Sequence, residues 1–170
     1  LSATCLEKVS WSKGVVDKMA QGEAPVYGIN TGFGPLCSTK ISQENTEVLQ
    51  YNILKSHSVG VGEAIPTHMA KLMLILKMHA LSQGHSGVAI STLERINWHI
   101  EEDIIPIVPS QGSVGASGDL APLAHLFLPL IGLGRVIYKG VEVDTRTMMD
   151  SEQISGIKLH PKEGLCLING

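Results

Sequence analysis

The stretch from Pro66 to Gly84, PTHMAKLMLILKMHALSQG, restricts the fold more than any other part of the chain. Proline suits the first turn of a helix, where its missing N–H is not needed. Glycine suits the position just past the end, where the backbone turns left-handed. Between them Leu72, Met73, Leu74, Ile75 and Leu76 follow one another without a polar residue. Such a run occupies every side of a helix, so the segment is predicted to be a central helix, apolar nearly all round and buried among others. A chain built around such a helix needs further helices to cover it.

The rest of the chain supplies them. Cys5 to Gln21 carries Leu6, Val9, Val16 and Met19 at roughly helical spacing, with Gly14 as a weak point. Ser42 reads as an N-cap followed by Glu44 and Glu47, opening a helix that carries Val48, Leu49 and Ile53 and ends near His57. The following SVGVGEAIP reads as a break. Val88 to Glu101 forms another helix, burying Ile90, Leu93, Ile96 and Ile100. DIIPIVPSQG is extended, because each proline restricts the residue before it. Leu120 to Leu133 is almost wholly apolar, too short to span a bilayer, and reads as a buried helix despite Pro122 and Pro129. RVIYKGVEV is a small hairpin turning at Lys139-Gly140. The predicted fold is mainly α with one minor β-hairpin.

Composition narrows the function classes. Hydrophobic residues make up 44% of the chain but aromatics only 4%, which points to an aliphatic interior. A net charge of −3 with scattered basic residues offers no footprint for nucleic acid or an anionic membrane. Cys5, Cys37 and Cys166 are odd in number and far apart, neither a disulfide framework nor a zinc pattern, so reduced thiols in a cytoplasmic protein are expected. His68 and His79 share a helix face but stand about 16 Å apart, and no metal is expected. The chain opens without methionine and stops at CLING, inside what reads as mid-protein, so a piece of a longer protein is expected.

The chemistry concentrates in QGSVGASGDLAPLAH, Gln111 to His125. A P-loop would place lysine after its last glycine, where Asp119 stands. The dinucleotide fingerprint GxGxxG has a different spacing. The serine elbow GxSxG almost fits at Ser117, yet its closing position again holds Asp119. A tight turn capping a helix at Leu120, with Ser117 or Asp119 as N-cap and Pro122 in the first turn, explains Asp119 but not the small residues before it. Ala116-Ser117-Gly118 permits a further outcome. The unhindered Gly118 nitrogen can attack the Ala116 carbonyl, closing a five-membered ring. Loss of two waters then leaves a methylidene group on an imidazolone, an electrophile that no side chain provides.

GSVGASGDLAPLAH resembles the signature of the ammonia-lyases that carry 4-methylidene-imidazol-5-one (MIO), and within them the histidine-specific members. VYGINTGFGPL at Val26–Leu36 resembles the family's tyrosine-bearing loop, and LQYNILKSHSVGVG at Leu49–Gly62 and PKEGLCLING at Pro161–Gly170 resemble two further segments in the same order. The resemblance implies MIO formed from Ala116, Ser117 and Gly118, with no metal. It implies Tyr27 in acid–base removal of the substrate β-proton, His57 in contact with the substrate side chain, and Asn169 as a donor near the MIO carbonyl. Asp119 would help position the cyclising loop. Residue by residue the plainer roles stay open: a packed loop aromatic for Tyr27, a helix-end cap for His57, an N-cap for Asp119. The resemblance further implies a helical N-terminal domain over residues 1–110 with the Tyr27 loop. Residues 111–170 would hold the MIO segment and the first part of a long-helix central domain. The implied protein is a homotetramer with active sites drawn from several subunits. It would eliminate ammonia non-oxidatively from L-histidine to give urocanate, and this piece alone would be inactive. A tyrosine ammonia-lyase or a related aminomutase is the nearest alternative. A non-catalytic helical domain with an uncyclised Ala-Ser-Gly turn is the other.

Overall fold

The capped segments become helices at nearly their expected bounds. The computed structural model describes residues 1–113 and 120–170, the Gln43 side chain apart, so Ala116, Ser117, Gly118 and Asp119 lie outside the described residues. Helix α1 (Ala3–Gln21) starts on Ser2, whose hydroxyl accepts from the Cys5 N–H at 3.2 Å. Helix α2 (Gln43–His57) starts on Ser42, which accepts from Asn45 N–H at 3.4 Å. Pro66 immediately precedes α3 (Thr67–Ser82), and Gly84 beyond its end takes φ +78°. Helix α4 spans Ile90–Glu101.

Strand β1 (Val61–Ala64) pairs antiparallel with β3 (Pro109–Gln111), Val61 facing Gln111 and Ala64 facing Pro109. Strands β2 (Ile105–Pro106), β4 (Arg135–Tyr138) and β5 (Val141–Asp144) form a second sheet with β4 in the middle. The hairpin turns at Lys139 and Gly140, with φ +52° and +80°, as a two-residue turn matched to strand twist requires. The expected single hairpin is therefore corrected to two small sheets. Strand β1 was unreadable because all four of its residues are exposed, leaving no alternation of apolar and polar positions.

The apolar run after residue 119 divides into α5 (Leu120–Phe127) and a short 3₁₀ segment, Leu128–Ile131. Pro129 has no N–H to continue the α-helical ladder, which corrects the single helix expected there. Pro122 lies in the first turn of α5, as expected. Helices α6 (Thr145–Glu152) and α7 (Glu163–Ile168) complete the chain.

One main core joins Val9 of α1, Leu54 of α2, Leu74 and Leu81 of α3, Leu93 and Ile96 of α4, Phe127 of α5 and Leu167 of α7. A smaller cluster of Ile104, Val136, Met148 and Met149 seats the second sheet on α6. Helix α3 departs from expectation. Ala70, Leu74 and Leu81 are buried, but Met69, Leu72, Ile75 and Leu76 are exposed, Leu76 by 59%. Its inner side meets α1, α4 and β2, and it forms a wall of this chain rather than its centre.

Candidate active site

The Tyr27 loop is laced by its own polar side chains. Asn30 is buried, accepts from Val26 N–H at 2.7 Å, and donates to the carbonyls of Ala24 and Met19 at 3.0 and 3.2 Å. The buried Thr31 hydroxyl accepts from Gly28 N–H at 3.3 Å and donates to Gly32 O at 3.0 Å. Gly28 takes φ +71°, and a Cβ there would fall 2.6 Å from Leu165 Cδ2, so glycine lets this loop lie directly on α7. The lacing holds the backbone and leaves Tyr27 53% exposed, its ring edge-to-face with Phe33 at 6.0 Å between centroids. Among the described residues its hydroxyl has no hydrogen-bond partner, so the phenol is presented outward on a fixed loop.

His57 is the last residue of α2 and is half-buried. Its Nδ1 lies 2.8 Å from the Ile53 carbonyl and 3.1 Å from Ser56 Oγ. A carbonyl only accepts, so Nδ1 carries a proton and donates to Ile53 O. His57 thereby caps a carbonyl of the last turn of α2.

Asn169 caps the C-terminus of α7, its N–H donating to Leu165 O at 3.0 Å. Its carbonyl accepts from the Lys77 ammonium of α3. Burial pushes the Lys77 pKa down, against the opposing pull of Cys166, whose own thiol is pushed up to about 11, mainly by burial. Lys77, His85, Cys166 and Asn169 line a cavity of about 320 Å³ at this end of α7.

Two residues of PKEGLCLING that the sequence reading passed over fix α7 in place. Glu163 is fully buried. One of its oxygens accepts from Ala89 N–H at 2.8 Å and Thr92 Oγ1 at 2.7 Å, and the other from His160 N–H at 2.7 Å. It thereby caps α4, whose own N-cap, Ala89, has no side-chain oxygen to do so. Gly164 N–H donates to the buried Gln50 Oε1 at 2.9 Å. A Cβ on Gly164 would lie 2.5 Å from Ile53 Cγ2, so only glycine permits this approach of α7 to α2. The one signal in the sequence was a carboxylate standing at the head of an apolar run.

The flanks of the Ala-Ser-Gly segment meet. A Cβ on Gly112 would lie 3.3 Å from the Ala121 Cβ and 2.9 Å from Gly60 Cα. Gly60 N–H donates to His125 Nε2 at 3.0 Å, and burial lowers the His125 pKa. The strand leading into the segment and the helix leaving it are therefore held against the loop that follows His57.

Helices α2, α5 and α7 pack on one another, so the elements carrying His57, the Ala-Ser-Gly flank and Asn169 form one unit, with the Tyr27 loop on α7. The side chains of Tyr27, His57 and Asn169 make no hydrogen bond to one another among the described residues. No group of three His, Cys, Asp or Glu among those residues is arranged to hold a metal, and no described helix is long and apolar enough to cross a membrane.

A sequence profile for aromatic amino acid lyases matches residues 1–170. Histidine ammonia-lyase of Deinococcus radiodurans is 44% identical over 170 residues, covering all of this chain and 32% of that protein. The chain thus spans about a third of the length of the curated relatives it matches. Among solved structures, histidine ammonia-lyase from Trypanosoma cruzi is 35% identical with a TM-score of 0.89, covering 99% of this chain and 33% of that one. Tyrosine aminomutase from Streptomyces globisporus is 34% identical with a TM-score of 0.90, covering 99% and 32%.

Proposed function

The chain belongs to the aromatic amino acid lyase family, and on that premise we propose that it supplies the Tyr27 loop and the MIO-forming segment of a histidine ammonia-lyase. The reaction is the non-oxidative elimination of ammonia from L-histidine to give urocanate. The observation that carries this reading is the closure at Gly112 and Ala121, which gathers the ends of the segment holding Ala116-Ser117-Gly118. Ring formation needs such a closed loop, because Gly118 N must reach the Ala116 carbonyl carbon. The carbonyl oxygen leaves as water with the hydrogens of the Gly118 and Ser117 amides. A second water takes the Ser117 hydroxyl and its α-hydrogen, leaving the methylidene carbon. No oxidant is involved.

The completed ring supplies the electrophile that draws electron density from the substrate. The side chains do the rest. Tyr27, presented on its laced loop, takes the β-proton as the Cα–N bond breaks and ammonia leaves. Asn169, at the end of α7, donates to charge developing on the ring carbonyl. His57 offers its Nε2 lone pair to an imidazole N–H of the substrate, and this match favours histidine over phenylalanine. Residues 1–110 and 111–170 are read as an N-terminal helical domain and the start of a central one, in a cytoplasmic homotetramer whose sites draw on several subunits. The 170 residues alone are then inactive.

Likeness to a tyrosine aminomutase makes tyrosine the competing substrate. Assay of the full-length protein on histidine, tyrosine and phenylalanine separates them. Histidine is expected to be deaminated fastest, and His57→Leu to lower kcat/KM for histidine about tenfold or more, the scale of one lost hydrogen bond to a desolvated group. Faster turnover of tyrosine contradicts the substrate assignment.

A further inference from the structure

The bond between Gly60 and His125 joins residues far apart in sequence at a crowded place. A Cβ on Gly60 would lie 3.1 Å from both Gln111 O and His125 Nε2. Gly112, with φ +151°, has no room for one either, since Gly60 Cα and Ala121 Cβ stand at 2.9 and 3.3 Å. Three stretches of backbone therefore meet here: the exit from α2, the entry to the Ala-Ser-Gly segment and the start of α5. Ala121 and His125 are four residues apart on α5 and so share a helix face. One face of α5 thus touches Gly112 with Ala121 and holds Gly60 with His125. Pairing of Val61 with Gln111 extends the same junction by one residue.

We propose that His125 is a positioning residue for MIO formation: its Nε2, accepting from Gly60 N–H, locks both ends of the segment bearing Ala116-Ser117-Gly118. The proposal rests on the reading that this segment cyclises. Attack of Gly118 N on the Ala116 carbonyl is intramolecular, and its rate depends on how narrowly the ends of the loop are held. An N–H donor demands an unprotonated Nε2, so His125 acts as the neutral imidazole with its proton on Nδ1. Burial of the ring favours that form. Because Gly60 lies three residues beyond His57, the same bond also fixes the loop leaving the substrate-facing end of α2.

The test compares intact masses of full-length wild type, His125→Leu and His125→Gln, with thermal melts as the check on folding. Wild type is expected to be lighter by two waters. In folded His125→Leu, which keeps the bulk and loses the acceptor, the ring-bearing fraction falls about fivefold or more, the scale of one lost hydrogen bond at a part-buried donor. His125→Gln, whose amide oxygen reaches the same N–H, recovers most of it. A structural filler role predicts no such rescue. Should His125→Leu not fold, His125→Asn replaces it, its amide being one carbon too short. A folded Leu or Asn variant as fully cyclised as wild type overturns the proposal. A wild type at its plain mass overturns the cyclisation reading itself, an outcome visible without any substitution.

Discussion

His99 lies near the end of α4, its Nδ1 donating to Ile104 O at 3.0 Å and its buried Nε2 without a hydrogen-bond partner among the described residues. Burial lowers its pKa to about 4, the Ile104 bond opposing and the nearby Arg95 charge assisting. Between that value and the ordinary value near 6.5 the unfolded chain binds the proton that the folded chain refuses. Stability is therefore expected to fall as pH drops from about 6.5 to 4, by about 3 kcal/mol in all, and to be flat in this term above and below. His125, also lowered by burial, adds a contribution of the same sign. His99→Asn keeps a donor toward Ile104 and cannot titrate, so its melting temperature should depend less on pH than wild type across that window. An unchanged slope refutes the assignment. At this scale Tyr27, His57 and Asn169 were open to proposal from the sequence because each stands in a contiguous motif. Glu163, Gln50 and His125 were not, because the Ala89, Gly164 and Gly60 amides they hold are 74, 114 and 65 positions away.

Elements were legible where their ends carry chemistry. Ser42, Pro66 and Gly84 marked helix ends because each solves a local backbone problem. Strand β1, with no buried face, sent no such signal, and α7 is held by distant groups rather than by its own pattern. Two glycines make the contrast testable. Gly14 sits within α1, and a methyl group added there would meet nothing within 4 Å, so Gly14→Ala is expected to stabilise by about 0.5–1 kcal/mol through helix propensity. Gly164→Ala would drive its methyl into Ile53 and the Gln50 backbone and should destabilise by about 1–3 kcal/mol. Chemical denaturation of both variants checks the pair, and equal effects would contradict the packing of α7 on α2.

For the whole molecule, the mainly α architecture followed from helical periodicity, and the family from motif order. Placement of α3 did not follow. Its Leu72–Leu76 run predicted burial on every side, yet Leu72, Ile75 and Leu76 are exposed in a chain about a third as long as its relatives. A sequence pattern reports how much surface a helix must cover, not which stretch of chain covers it. The same holds for the site, since this chain brings α2, α5 and α7 together while Tyr27, His57 and Asn169 make no hydrogen bond to one another among the described residues. Ser117 is proposed here as the source of an electrophile rather than as a nucleophile. Intact-mass measurement on the full-length protein tests that most directly. The expected mass is lower than that of the sequence by two waters, and Ser117→Ala restores the plain value after allowance for the exchanged side chain. A folded full-length protein at its plain sequence mass would contradict it.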